Sequence, residues 1–149
     1  MKGVAMIVFG LFAAGLLAFV VMAVMSQKLP KDLGLLNGAL KPCPDSPNCV
    51  CSEDVGSTDP QYVIKPIQGD LQTWLKLKKV VVEQGGLIQV DADDYIHATF
   101  TSSILRYVDD MECRFDRTKK LIHMRSASRM GHSDFGVNRK RVLAIQRAL

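Results

Sequence analysis

Residues 107–128 read YVDDMECRFDRTKKLIHMRSAS, and the alternation of their side chains decides the fold class. Side chains along a strand point to opposite faces in turn, so a period of two separates an inner set from an outer set. From Tyr107 to Asp116 the inner set is Tyr107, Met111, Cys113 and Phe115. The outer set is Asp110, Glu112 and Arg114, expected to face solvent. The polar stretch Arg117 to Lys120 supplies a turn and Leu121 to Ser128 a returning strand. Pairing Phe115 with Ile122 sets Cys113 opposite Met124, Met111 opposite Ser126 and Asp109 opposite Ser128. On the outer side Glu112 then faces Arg125 as an ordinary cross-strand ion pair. Asp109 is the exception in the inner set, a carboxylate where an apolar side chain is expected. It needs donors or a shifted pKa, and Ser126, Ser128 and Arg129 are the donors at hand.

Working outward, Tyr95 to Ser102 repeats the alternation, with Ile96, Ala98 and Phe100 in one phase and Tyr95, His97, Thr99 and Thr101 in the other. His97 and His123 are read as surface residues. Upstream, Asp70 offers an N-cap to a helix over Leu71 to Gln84, whose face is marked by Leu71, Trp74, Leu75 and Val82 and whose end is marked by Gly85 and Gly86. Tyr62 to Ile67 is a short strand limited by Pro66. A last helix is predicted from about Gly136 to Ala148. This order gives an α+β fold, a small antiparallel sheet of about four or five strands with two packing helices.

The chain has 149 residues, one domain's worth, and its 48% apolar content is unevenly spread. Gly3 to Met25 contains no charged or strongly polar residue and would span about 34 Å as a helix, enough for a hydrocarbon layer of about 30 Å. Intrinsic disorder, a collagen-like fibre and a multi-pass transporter are excluded. A cleaved signal peptide competes with a retained single transmembrane helix. The run exceeds a usual signal core and lacks a small-x-small cleavage site, which favours the anchor. The first cysteine, Cys43, lies too far on for a lipoprotein. The expected organisation is an anchor over 1–27, a juxtamembrane linker over 28–41 and a domain over 42–149. Gly3, Gly10, Gly15, Ala13, Ala14 and Ala18 would let another membrane helix approach, so membrane lipid and a protein partner in the membrane are the expected neighbours.

Two signals bear on orientation. Lys28, Lys31 and Lys41 after the run lean weakly towards a cytoplasmic domain. Against them, Cys43 and Cys49 stand on a proline-punctuated loop, KPCPDSPNCVCS, where five intervening residues can bend back to close a disulfide. Such bonds persist outside the cytosol, which favours a periplasmic or lumenal domain. Zinc is the alternative for the cysteines, but Cys43, Cys49, Cys51 and Cys113 match no paired C-x-x-C spacing, so no metal site is assigned. No cofactor is implied.

Charge is concentrated at the C-terminus. Residues 117–149 hold nine Lys and Arg against Asp134 alone, a net of +8, whereas residues 26–116 hold nine against fourteen acids, a net of −5. Within Arg125 to Arg141, RSASRMGHSDFGVNRKR, the candidate anion- or partner-binding residues are Arg125, Ser126, Ser128, Arg129, Ser133, Asp134, Asn138 and Arg139. Ser133 or Asp134 can cap the final helix, and free N–H groups there, flanked by Arg129 and Arg139, would form an anion site. The same side chains could instead pair internally and brace a long turn. Ser126 or Ser128 with His132 and Asp109 or Asp134 has the residue types of a catalytic triad, but there is no G-x-S-x-G elbow, and no catalytic residue is assigned. Nucleic acid is not expected, since Phe135 is the lone aromatic in the basic tail. Arg139, Lys140, Arg141 and Arg147 suit lipid phosphates better.

Taken together, CPDSPNCVCS, YIHATFTS, YVDDMECRFD and HMRSASRMGHSDFGVNRKR resemble the DUF1499 family of bacterial and plastid proteins over about residues 42–149. The resemblance implies a membrane-anchored or exported domain with no established activity. It directs attention to Cys43, Pro44, Ser46, Pro47, Asn48, Cys49, Asp109, Asp110 and to the motif from Arg125 to Arg139. Cys51 and Cys113 lie outside the family pattern, which favours a Cys43–Cys49 disulfide. The expected function is a non-catalytic accessory or binding module of a larger membrane complex, with the Arg/Ser/Asp loop as its interaction or bracing element. The competing expectation is an enzyme or sensor for a small anion held by Arg125, Arg129 and Arg139, with Asp109 as acid or base.

Overall fold

A computed structural model describes residues 2–53 and 59–149. Part of the irregular loop expected over Pro42 to Pro60 therefore lies outside the described residues. The elements are α1 (Lys2–Ser26), β1 (Leu35–Leu36), β2 (Ala39–Leu40), β3 (Cys49–Cys51), β4 (Ile67–Gln68), α2 (Leu71–Glu83), β5 (Leu87–Asp91), β6 (Tyr95–Thr101), β7 (Val108–Asp116), β8 (Leu121–Ser128) and α3 (Val137–Ala148). The fold is α+β. An apolar helix precedes a six-stranded antiparallel sheet of order β3-β8-β7-β6-β5, with β4 also on the β8 edge, and β1 and β2 form a separate hairpin.

The central hairpin has the register that alternation dictates, with Phe115 opposite Ile122, Met111 opposite Ser126, Asp109 opposite Ser128 and Glu112 opposite Arg125. Its turn is tied by Asp116, whose Oδ1 accepts from the Lys119 N–H and the Thr118 hydroxyl. The sheet exceeds the expected four or five strands because β3 and β4 both add to the same edge of β8. The Tyr62 to Ile67 strand is displaced. Val63 makes one bridge to Cys51, and regular pairing resumes after Pro66, which has no N–H to donate, at Ile67 and Gln68.

One face of the sheet carries the core. Ile96, Ala98, Phe100, Met111, Cys113, Phe115, Ile122 and Met124 pack against Trp74, Leu77 and Val81 of α2 and Val142 and Ile145 of α3. Trp74 stacks on Phe115 at 5.8 Å between ring centroids, and its indole N–H donates to the Asp93 carbonyl. Burying each such side chain contributes about 1.5–3 kcal/mol. Asp70 caps α2 as expected, in a reciprocal box with Thr73. The buried stripe of α2 is Trp74, Leu77, Val80 and Val81. Leu71, Leu75 and Val82, expected on the inner face, are exposed, because the stripe follows the sheet and not apolar identity alone. Gly86 brings the end of α2 close to the sheet, where a Cβ would stand 2.7 Å from the Phe100 ring.

The other face overturns the solvent reading of the outer phase. Asp110, Glu112, Arg125, His97 and His123 are buried. The stretch expected as a linker is what covers part of them. Residues 28–41 fold back over this face through the β1–β2 hairpin, and Leu40 is buried there. The Gly34 N–H donates to Glu112 and the Leu40 N–H to Glu53.

Candidate functional site

Polar side chains collect in three clusters around β7 and β8. On the core face, Asp109 sits where alternation puts it, but its partner is Arg141 of α3, whose Nη2 donates to Asp109 Oδ2 at 2.7 Å. The guanidinium lies 4.4 Å from the Phe100 ring centroid and its Nη1 also donates to Ser126 Oγ and Asn138 Oδ1. Asn138, fully buried, is the hub: it accepts from the Ser126 hydroxyl at 2.6 Å, and its Nδ2 donates to Ser128 Oγ and the Asn48 carbonyl. Asn48 in turn donates to the Gly131 carbonyl. Ser126, Ser128 and Asn138 thus come together with Asp109, while Arg129, expected as its donor, lies on the opposite face. The missed residue is Arg141. Its signal was its spacing, three residues after Asn138 and one before Val142, on the stripe of α3 that faces the sheet.

On the second face, Asp110 and Glu112 anchor two linked arrangements. Arg129 grips the Asp110 carboxylate through Nε and Nη2, both at 2.7 Å, and His97 Nε2 lies 2.7 Å from the same group. The remaining guanidinium nitrogen of Arg129 donates to the carbonyls of Ser26, Gln27 and Lys28 at 3.1–3.3 Å, the oxygens left unpaired where α1 ends. A cation at a helix C-terminus is favoured by the helix dipole as well. Around it, the Val108 N–H donates to Ser26 Oγ, Gln27 donates to the Arg106 carbonyl, and Tyr107 Oη reaches the Phe19 carbonyl at 3.4 Å. Burial would raise the Asp110 pKa, but the hydrogen bonds from Arg129 and His97 outweigh it and hold the carboxyl below its ordinary range. Two residues along, Glu112 accepts from Tyr95 Oη and the Gly34 N–H, both at 2.7 Å, and from Arg125 at 2.9 Å. Arg125 continues to Asp32 at 3.2 Å. Burial and the Glu112 carboxylate together push the Tyr95 phenol up.

A third cluster joins Glu53, Arg114, His123 and Ser52. Arg114 makes two hydrogen bonds to Glu53. Burial would raise the Glu53 pKa, but the Arg114 hydrogen bond leads the effects that hold it down, and burial lowers the His123 imidazole. Ser52 Oγ and Glu53 Oε1 approach the same ring nitrogen of His123, at 3.3 and 3.7 Å. A relay needs base and orienter on opposite nitrogens, so these three residues do not have triad geometry. His132 is exposed on its loop, and the hydroxyls of Ser126 and Ser128 are both engaged by Asn138.

The helix N-terminus expected as an anion site is occupied from within. Asp134 accepts from the N–H groups of Gly136 at 2.9 Å and Asn138 at 2.7 Å, while Ser133 Oγ accepts from Phe135. Arg139 turns its Nη1 to the carbonyls of Pro60, Gln61 and Val63. Arg125, Arg129 and Arg139 therefore do not converge; each is held in a different place against protein oxygens. Arg139 and Arg141, expected against lipid, both face protein groups. Cys43 and Cys49 form a disulfide, and Cys51 and Cys113 are buried thiols. Among the described residues no group of three or more His, Cys, Asp or Glu side chains is arranged to hold a metal ion.

The fold and these clusters define a small α+β domain clamped, through the buried ion pair Asp110–Arg129, to the end of a helix long and apolar enough to cross a membrane. A family model described as "Protein of unknown function (DUF1499)" matches residues 39–149, and the chain belongs to that family. No curated protein and no solved structure matches the chain.

Proposed function

We propose that the protein is a single-pass, membrane-anchored, non-catalytic accessory or binding module, a subunit of a larger membrane complex, whose Arg/Ser/Asp motif braces the domain against its anchor. The observation that carries this reading is Arg129, which joins the buried Asp110 of the sheet to the last carbonyl of α1, that of Ser26, and to the two that follow it. Removal of α1 as a signal peptide would take away Ser26, whose carbonyl accepts from Arg129 and whose hydroxyl oxygen accepts from the Val108 N–H, so the reading keeps α1 in the mature protein. The Cys43–Cys49 disulfide supports a domain on the periplasmic or lumenal side.

In this reading lipid surrounds most of α1, and a protein of the same membrane is the partner. The competing reading, a small anion bound by Arg125, Arg129 and Arg139, would require each guanidinium to leave the oxygens it now holds, a loss of charge-assisted bonds worth about 1.5–3 kcal/mol apiece. Extraction from native membranes in mild detergent, followed by mass spectrometry of what co-purifies, tests the module. Reproducible stoichiometric partners are expected. A folded monomer without partners, whose melting temperature rises with phosphate or phosphorylated metabolites, would replace it with the anion reading. Thiol blocking before and after reduction in intact cells tests the side: reactive Cys43 and Cys49 without reduction would refute the outer-face assignment.

A further inference from the structure

We propose that two apolar tips of the domain, Ile104 with Leu105 and Phe135, are seated in the same phospholipid leaflet that holds the end of α1, with acyl chains filling the cleft between them. This rests on the membrane-anchored reading and adds where the domain meets the bilayer. Among the described residues of the domain, Ile104 at 87% and Phe135 at 89% are the most exposed large apolar side chains. Strained backbone lies at one tip and beside the other. Phe135 has φ 53° and Arg106, next to Leu105, has φ 58°, in the left-handed region that side chains other than glycine rarely adopt. Holding a phenylalanine there and out in water has no folding benefit; in hydrocarbon its burial is favourable.

The position of the tips along α1 fixes the occupant. Tyr107, just after the first tip, bonds the Phe19 carbonyl, and Gln27 bonds the Arg106 carbonyl. Phe19 lies seven residues before Ser26, about 10 Å along the helix axis. The apolar run is only slightly longer than a hydrocarbon core, so Ala23 falls near the acyl–headgroup boundary of a membrane that α1 crosses and Phe19 about 6 Å below it on the acyl side. Interfacial segments bury their apolar side about 5–10 Å at that boundary, and tyrosine is enriched there. Leu105 and Phe135 share with Phe19, Met22 and Met130 the apolar part of the walls of one cleft of about 360 Å³, whose lining also includes Asp109, bonded to Arg141, and Asp134, bonded to backbone N–H groups, so both tips stand beside the same stretch of α1. The exposed Arg106 suits a lipid phosphate just above them. This seating surface is formed by loops and differs from the basic α3 face that charge alone suggested.

The test is fluorescence quenching of the full chain reconstituted in phosphatidylcholine vesicles, using lipids brominated at a shallow or a deep acyl position. Single variants Ile104→Trp and Phe135→Trp are compared with Lys119→Trp, in the β7–β8 turn at the far end of the sheet, about 23 Å from Asp109 along β7. Phe12→Trp, in the middle of α1, reports the anchor. The wild type, with Trp74 buried in the core, is the baseline. Loss of emission with shallow bromines is expected at 104 and 135 and not at 119, together with loss at 12 with deep bromines. Quenching at 104 or 135 no greater than at 119 overturns the inference. If position 12 is still quenched, only the seating fails; if position 12 is unquenched too, the anchored reading falls with it.

Discussion

Replacing Arg129 with alanine removes two hydrogen bonds of 2.7 Å from the Asp110 carboxylate, which is 3% exposed, and uncaps the end of α1. Stripping one partner from a buried ion pair costs about 3–5 kcal/mol, and an unopposed helix terminus adds up to about 1 kcal/mol. A loss of about 4 kcal/mol would lower the melting temperature of a domain this size by roughly 15 °C. Arg129→Lys keeps the charge without the planar fork and falls between. Asp110→Asn in the Arg129→Ala background leaves a neutral group still within reach of His97, so the double variant should be more stable than the sum of the singles by about 2 kcal/mol.

The pH dependence of the same pair has a definite sign. In the wild type the Asp110 pKa is depressed, so its contribution is present above the ordinary carboxylate range and is lost as pH falls through the lower folded value. Without Arg129, burial dominates and the pKa rises, so acidification neutralises Asp110 and relieves the variant. The gap between wild type and Arg129→Ala should therefore narrow from pH 7 to pH 4, measured by urea denaturation of the full chain in detergent micelles. A change below about 0.5 kcal/mol, an additive cycle or a pH-independent gap would refute the clamp.

Four further outcomes are expected. Arg125→Met should cost about 3–5 kcal/mol by leaving the fully buried Glu112 charge uncompensated, whereas Glu112→Gln, which still accepts from Tyr95 and Gly34 and leaves Arg125 to Asp32, should cost less in the same denaturation assay. Asn138→Ala should cost about 2–3 kcal/mol because Ser126, Ser128 and the Asn48 carbonyl lose their shared partner, and exchange of the β8 amide protons should speed up. Asp134→Ala, which uncaps α3, should lower stability by about 1 kcal/mol. Converting Cys43 and Cys49 to serine opens a small loop and should cost about 2 kcal/mol, seen as a lower melting temperature that reductant no longer changes.

The hairpin at the centre of the fold was legible residue by residue, because a period of two fixes both register and face. It does not say what lies over each face. Glu112, Asp110, Arg125 and His97 read as solvent residues because polar side chains usually are; Asp110 and His97 are closed off by Arg129 at the end of α1, while residues 28–41, which have no periodicity of their own, fold over Glu112 and Arg125. That cover is made of backbone N–H groups and one carboxylate, Asp32, which leave no pattern in a sequence. The anomaly at Asp109 was visible, and Ser128 opposite it and Ser126 opposite Met111 were placed correctly. The guanidinium bonded to Asp109 came from Arg141 of α3, fifteen residues after Ser126, a contact that only the packing of α3 on the sheet specifies. The motif residues were likewise visible as a set, but their division between two faces and three clusters depends on tertiary structure.

Asp109 and Asp110 are neighbours on β7 whose side chains leave through opposite faces, one to α3 through Arg141 and the other to the end of α1 through Arg129. In mechanical terms the dipeptide is a through-bolt. Tension applied between the first helix and the last one runs across the width of a central strand, along two guanidinium–carboxylate joints in series, before it loads the ladder of the sheet. Such a molecule should yield first by release of a single joint, freeing a helix while the β-sheet stays closed.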